Sequence, residues 1–415
     1  MAILNAAQVD AAATRLADIV RTTALERNAR LSDQLGAQVW VKREDQQVVR
    51  SYKIRGAYNL IAQLDHDART TGVVAASAGN HAQGVAFACS ALGVRGRLYL
   101  PRTTPRQKRT RIAALGGEAI EIVVTGETYD EARQAAAAYE LESGATPVPA
   151  FDDARTIAGQ GTVVREAVEQ LGHAPDVVVV PVGGGGLLAG TVAWLRERHP
   201  RTRIVGVEPA GAACMAAALA AGKPVPLAEV DPFVDGAAVR TAGAVTFPLI
   251  ASGDVELASV TEGQVCAEML TLYQVEGIIA EPAGALATAA LGESVIISPG
   301  ADVLCILSGG NNDVSRYAEI AERALVHERR KHYFLVEFPQ EPGALRDFLD
   351  TVLGPNDDIT LFEYVKRSNR ETGPALVGIE LGDPQEFPAL VSRLNKSGPR
   401  FELIDSSSPL FRFLL

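Results

Sequence analysis

Lys53 stands between the apolar side chains Tyr52 and Ile54, with Arg43 and Arg55 nearby in the chain. An amine that is partly desolvated and close to other cations loses its proton more easily. Its neutral form can then attack a carbonyl and form a Schiff base. Taken alone, such a lysine is more often a surface residue at a helix start. A second feature points to an anion. The apolar run 177–182 leads into Gly183, Gly184, Gly185 and Gly186, followed by Leu187. Consecutive glycines let backbone N–H groups wrap an anion, and a helix beginning there adds the positive end of its dipole. A strand-to-helix turn needs only one or two glycines, so a phosphate is the natural ligand.

Two further segments follow the same plan of a strand ending in small polar residues. Residues 73–76 run into Ser77, Ala78, Gly79, Asn80 and His81, whose free N–H groups suit a carboxylate. The Asn80 amide can serve a neutral ring hydroxyl. His81 reads as a cap or packed residue rather than a catalyst. Ser308, Gly309, Gly310, Asn311 and Asn312 follow the run 303–307, which presents Ser308 at the carboxyl end of its strand, where open α/β sheets bind ligands. An amine, an anion cradle, a carboxylate cradle and a neutral hydroxyl together match pyridoxal 5′-phosphate (PLP) with an amino-acid substrate. One rival stands beside this reading. Gly184, Gly186 and Gly190 also resemble a dinucleotide fingerprint, with Glu208 placed to meet a ribose hydroxyl. A nucleotide-dependent oxidoreductase would leave Lys53, Asn80 and Ser308 without a task.

These side chains need a scaffold, and apolar, β-rich runs supply it at 38–42, 73–76, 97–100, 121–124, 177–182, 204–207 and 303–307. Helical segments such as 129–142 and 161–171 separate several of them. Short apolar strands alternating with helices predict an α/β fold with parallel sheets covered on both faces. After the charged junction near 326–333 the pattern changes. Strands at 332–338, 358–365, 375–381 and 400–404 alternate with helices at 344–353 and 387–395 in the order βαββαβ, the ferredoxin-like arrangement of an α+β domain. The expected division is 1–325 and 326–415, with a small subdomain at about 45–150 inserted in the larger part.

The chain has 39 Lys and Arg against 50 Asp and Glu, a net charge of −11, so nucleic acid and anionic membranes are not expected partners. Hydrophobic residues make up 47%, enough for large cores. Cys89, Cys214, Cys266 and Cys305 show no C-x-x-C spacing and read as small apolar residues. The apolar run 177–195 contains Pro181 and five glycines, which suits strand, loop and helix rather than a membrane span. The first residues carry no signal-peptide pattern. A cytoplasmic protein is expected. No histidine pair has ligand spacing, and no metal site is expected.

The ordered set KRED (42–45), SYKIRGA (51–57), SAGNHAQGVAFA (77–88), GGGGL (183–187), EPAGA (281–285) and LSGGN (307–311) resembles fold-type II PLP enzymes of the tryptophan synthase β-like, two-subdomain kind. Within them it is similar to the biosynthetic threonine dehydratases (threonine ammonia-lyases). The resemblance implies that Lys53 carries PLP and acts as the base at the substrate Cα. It implies that Gly183, Gly184, Gly185, Gly186 and Leu187 bind the phosphate. Asn80 would meet the ring oxygen, Ser308 the pyridine nitrogen, and Ser77, Ala78, Gly79, Asn80 and His81 the substrate carboxylate. The implied reaction converts L-threonine to the keto acid and ammonia, with L-serine as a second candidate substrate. Related serine racemases carry Ser where this chain has Ala78, and they bind a divalent ion through a Glu with a carboxylate six residues on, where this chain follows Glu208 with Cys214. That departure leaves Glu208 as a structural residue or part of a monovalent-ion site. The C-terminal segment resembles a single ACT-like regulatory domain, which implies isoleucine as inhibitor, valine as its possible opponent, and a homotetramer. A dimerisation module without ligand is the alternative.

Overall fold

The computed structural model describes residues 4–364, 371–405, 408, 410–411 and 414. It divides into two compact units, Met1–Asn312 and Asp313–Leu415.

The first unit holds two sheets. A six-stranded sheet runs in the order Leu25–Arg27, Gln38–Arg43, Asp302–Leu307, Val177–Pro181, Arg203–Pro209, Val255–Val260. Only the first pair is antiparallel. All five residues of Val177–Pro181 are buried, as the near-continuous apolar run predicts for an interior strand of a parallel sheet. The second sheet is fully parallel, in the order Ile120–Val124, Gly96–Leu100, Val73–Ala76, Thr146–Pro147. Three strands had no strong sequence signal: Leu25–Arg27, Thr146–Pro147 and Val255–Val260. All three are sheet edges, and two are only two or three residues long. Val255–Val260 keeps most of its side chains partly exposed, so no continuous apolar run marks it.

Helices cover both sheets. Ala6–Leu16, Ala154–Leu171 and Gly186–Arg198 bury their apolar faces in one core with Val178, Val180, Leu304 and Ile306 of the large sheet. Lys53–Ile61 and Asn80–Leu92 form a second core with Val73, Ala75, Leu98 and Leu100 of the small sheet. The helix expected at 161–171 begins seven residues earlier, at Ala154, where the Asp153 side chain accepts the Arg155 N–H at 2.7 Å. Its glycines are contact points rather than breaks: a Cβ on Gly159 would lie 2.5 Å from the Arg55 carbonyl oxygen. All four cysteines are free and buried. Among the described residues no helix is long and apolar enough to cross a membrane.

The second unit carries an antiparallel four-stranded sheet in the order Asp358–Tyr364, Thr372–Glu380, Lys331–Pro339, Phe401–Ile404. Ala344–Val352 and Phe387–Lys396 pack on it through Phe348, Val352, Leu390 and Leu394. This is the βαββαβ order that the sequence pattern predicts. Val365, the end of one expected strand, lies outside the described residues.

Candidate active site

Four chain segments carry the candidate groups, and backbone pairing joins two of them. Ser51 bridges Gly309, Tyr52 N donates to the Ser308 carbonyl at 3.1 Å, and Gly310 N donates to the Arg50 carbonyl at 2.9 Å. These bonds place the start of the Lys53–Ile61 helix against the segment that carries Ser308. On its other side this helix approaches Asn80–Leu92 so closely that a Cβ on Gly84 would sit 3.0 Å from the Lys53 carbonyl.

Lys53 Nζ donates to the Ala150 carbonyl at 3.0 Å and lies 5.2 Å from the Tyr52 ring centroid. No carboxylate pairs with it among the described residues. The cations that the sequence set beside it are engaged elsewhere. Arg43 pairs with Asp45 at 2.8 Å and Glu26 at 2.7 Å, and Arg55 with Glu44 at 2.8 Å and Glu166 at 3.0 Å. What distinguishes Lys53 is therefore a neutral carbonyl partner and the lack of a counter-ion, not a cationic neighbourhood.

Asn80 opens its helix, and both ends of its amide are held. Its Nδ2 donates to Glu281 Oε1 at 2.6 Å, and its Oδ1 accepts from Asn311 Nδ2 at 2.7 Å. Asn311 Nδ2 also donates to the Val49 carbonyl at 2.8 Å. Glu281 is 4% exposed, and its backbone N–H donates to Gly309 O. Burial, then the negative charge of Asp235, pushes its carboxyl up to about 7, against the stabilising Asn80 bond and the Lys108 charge. Glu281 was visible in the sequence only as the first letter of EPAGA, and Asn311 only as part of the segment that carries Ser308, with no role of its own.

Ser308 is buried and its hydroxyl donates to the Ala283 carbonyl at 3.2 Å. Ser77 Oγ accepts from Gly79 N at 3.3 Å, so the substrate loop partly closes on itself. Ala78 and Gly79 are half-buried between Ser77 and Asn80. The His81 side chain faces inward: its Nε2 donates to the Val148 carbonyl at 2.6 Å. Burial, then the Lys53 charge, pushes its pKa down to about 4. His81 is thus a neutral packed ring, and only its backbone can serve a ligand.

The tetraglycine turn is gripped from behind. A Cβ on Gly184 would lie 2.4 Å from the Phe151 ring, and Gly185 has φ +94°, a conformation that side chains disfavour. Among the described residues the N–H groups of Gly183, Gly184 and Gly185 donate to no protein acceptor. Such orphan donors at the start of the Gly186–Arg198 helix are what an anion requires. The donor set therefore fits PLP: an unpaired amine, a phosphate cradle, a fixed amide and a hydroxyl able to rotate. Glu208 does not fit the dinucleotide alternative. It is 1% exposed, and its two oxygens accept Met215 N at 2.7 Å and Ala216 N at 2.9 Å. Burial pushes it up to about 7, against those two bonds. It caps the Cys214–Ala221 helix, so neither oxygen is offered to a ribose.

Comparison with known proteins agrees with this chemistry. Residues 16–309 match the pyridoxal-phosphate dependent enzyme family, and residues 322–414 match the C-terminal regulatory domain of threonine dehydratase. The Mycobacterium tuberculosis protein named L-threonine dehydratase biosynthetic IlvA is 59% identical over 414 residues, covering 99% of this chain and 96% of the relative. This chain belongs to the biosynthetic L-threonine dehydratase family of PLP-dependent enzymes. The Bacillus subtilis member is 46% identical over 398 residues, with 96% and 94% covered. Among solved structures, the processed form of threonine deaminase isoform 2 from Solanum lycopersicum superposes with a TM-score of 0.72. It is 36% identical, covering 78% of this chain and 95% of that one. Maize serine racemase gives a TM-score of 0.71 at 29% identity, with 78% and 98% covered.

Proposed function

We infer that the chain dehydrates and deaminates L-threonine to 2-oxobutyrate and ammonia with PLP, the first step of isoleucine biosynthesis. The structural observation that carries this reading is the Lys53 amine, held by a carbonyl and by no carboxylate among the described residues, with Asn80 and Ser308 at the ends of segments packed around its helix.

When bound, the cofactor supplies an electron sink for negative charge developing at the substrate Cα. The rest is the work of side chains and backbone. Lys53 Nζ would hold the cofactor and, as a free amine, would take the Cα proton as general base. Among the described residues no carboxylate ties that nitrogen up in an ion pair. Gly183, Gly184, Gly185, Gly186 and Leu187 would hold the phosphate through backbone N–H groups. Asn80 would meet the ring oxygen with an amide whose orientation Glu281 and Asn311 already set. Ser308 would offer the ring nitrogen a neutral hydroxyl, which need not keep that nitrogen protonated as an Asp would; a weaker electron sink would then favour prompt loss of the β-hydroxyl. Backbone N–H groups of residues 77–81 hold the substrate carboxylate, and Ala78 offers no hydroxyl to the opposite face of Cα.

The regulatory unit is assigned isoleucine as inhibitor and valine as its opponent, acting by a shift between conformational states because it carries none of the candidate catalytic residues. A homotetramer in the cytoplasm completes the proposal.

The test is a keto-acid assay with threonine and serine, together with borohydride trapping. The expected result is a yellow protein that forms 2-oxobutyrate and retains reduced cofactor on the peptide containing Lys53. A colourless protein that still forms 2-oxobutyrate would refute the mechanism. Isoleucine should suppress turnover and valine restore it. Turnover indifferent to both would remove the effector assignment and leave the dehydratase assignment standing.

A further inference from the structure

The Gly184 carbonyl oxygen is pinned from the rear of the tetraglycine turn. Thr246 Oγ1 donates to it at 2.7 Å and Gly243 N at 3.3 Å. A second acceptor for the Thr246 hydroxyl, the Gly243 carbonyl, is more distant at 3.3 Å, so its one hydrogen serves Gly184. No cis peptide occurs among the described residues, and a trans peptide sets its C=O and the following N–H on opposite edges. Holding the Gly184 oxygen toward Thr246 therefore aims the Gly185 N–H away from Thr246.

Thr246 is fully buried, and its loop is itself held. The Asp152 carboxylate accepts Ala244 N at 2.9 Å, Val245 N at 2.7 Å and Thr246 N at 3.4 Å. A Cβ on Gly243 would lie 2.3 Å from Asp152 Oδ1, so only glycine lets the loop come this close. The residues beside Asp152 reach the same site: Phe151 backs Gly184, and the Ala150 carbonyl holds Lys53 Nζ. One short segment thus connects the amine, the glycine turn and the loop that pins it.

We propose that Thr246 is a positioning residue for the cofactor phosphate, acting through the Gly184 carbonyl to orient the Gly185 N–H, with Asp152 holding its loop. The proposal rests on reading the tetraglycine turn as the phosphate cradle. A donor oriented before the anion arrives needs no reorganisation on binding, and that preorganisation is what Thr246 contributes.

The experiment titrates the full-length apoprotein with PLP, following visible absorbance and the phosphorus NMR signal of the bound cofactor. Thr246→Val keeps the shape and removes the hydroxyl. It should weaken PLP binding roughly tenfold, the worth of one net hydrogen bond, and move the phosphorus resonance. Thr246→Ser should restore both. Asp152→Asn should weaken binding in the same direction by a smaller factor. A valine variant that titrates like wild type with an unmoved resonance overturns the proposal. If that variant does not fold, an unchanged affinity and resonance in Asp152→Asn overturns it instead. Wild-type protein that takes up no PLP would sink the functional reading itself, a different outcome from equal binding by both forms.

Discussion

Glu44 and Glu281 are both buried glutamates of the catalytic unit, and their surroundings drive them in opposite directions. Glu44 is met by the Arg55 guanidinium at 2.8 Å and the Thr23 hydroxyl at 2.7 Å, with the Lys42 charge close by. Burial raises its pKa, but Arg55 above all outweighs burial and holds the carboxyl below its usual range. Glu281 meets an amide instead of a cation, and burial with the Asp235 charge wins. Two lysines differ in their partners. Lys42 is fully buried on Glu166 at 2.5 Å and Gln170 at 2.7 Å, whereas Lys53 has only a carbonyl. One region pairs its buried arginine and lysine with glutamates and serves as scaffold. The other gives its amine and its carboxyl neutral partners, a carbonyl and an amide, and no ion pair among the described residues, which leaves the amine available to a ligand.

The comparison breaks if the two regions respond alike to substitution. The largest effect is expected at Lys53→Ala, which should lower 2-oxobutyrate formation by on the order of 10³-fold or more and abolish borohydride trapping. Its urea midpoint should stay near wild type, since no ion pair is lost. Turnover within tenfold of wild type would contradict the assignment. Arg55→Met should do the reverse. It strands Glu44 and Glu166 without their guanidinium and should cost about 3–5 kcal/mol of stability, read from urea unfolding. An unchanged midpoint would mean that the buried pair is not a scaffold element.

The smallest effect sharpens the contrast between the glutamates. The folded-state pKa of Glu281 is about 7, above its ordinary 4.5. Between those values the native state holds a proton that the unfolded chain has released. Its contribution to stability is therefore fully present below about 4.5 and lost as pH rises through 7. Glu44, shifted down, contributes above 4.5 and loses its contribution as pH falls through its folded value. Glu281→Gln should flatten part of the decline in stability between pH 5 and 7 and leave the acid limb intact. Glu208, also near 7, should retain its own share. Parallel stability curves for variant and wild type over that range would show that Glu281 does not titrate as described.

Much of the site was legible because its parts are local. Ser77, Ser308 and the tetraglycine turn each follow an apolar strand, and strand ends with small residues announce open backbone groups. Lys53 was legible as a candidate, but for a cause the structure replaces: Arg43 and Arg55 are near it in the chain and bound to carboxylates in space. Phe151, Asp152 and Thr246 had no such signal. Phe151 acts through the face of its ring, and Asp152 and Thr246 through bonds to backbone atoms of segments far along the chain. The late start assigned to the Ala154–Leu171 helix has a related origin, since Gly159 looks like a helix breaker until the Arg55 backbone is seen against it.

The sequence by itself determined the alternation of interior strands with helices, the βαββαβ order of the second unit and the class of cofactor. Periodicity, strand-end glycines and lone polar residues are properties of short stretches, and short stretches keep them in any context. Only the tertiary structure decided which charges are neutralised. Lys42 meets Glu166, and Asn80 meets Glu281, across long stretches of chain. Electrostatic energy depends on separations of a few ångströms and on burial, and neither can be read from position along the chain.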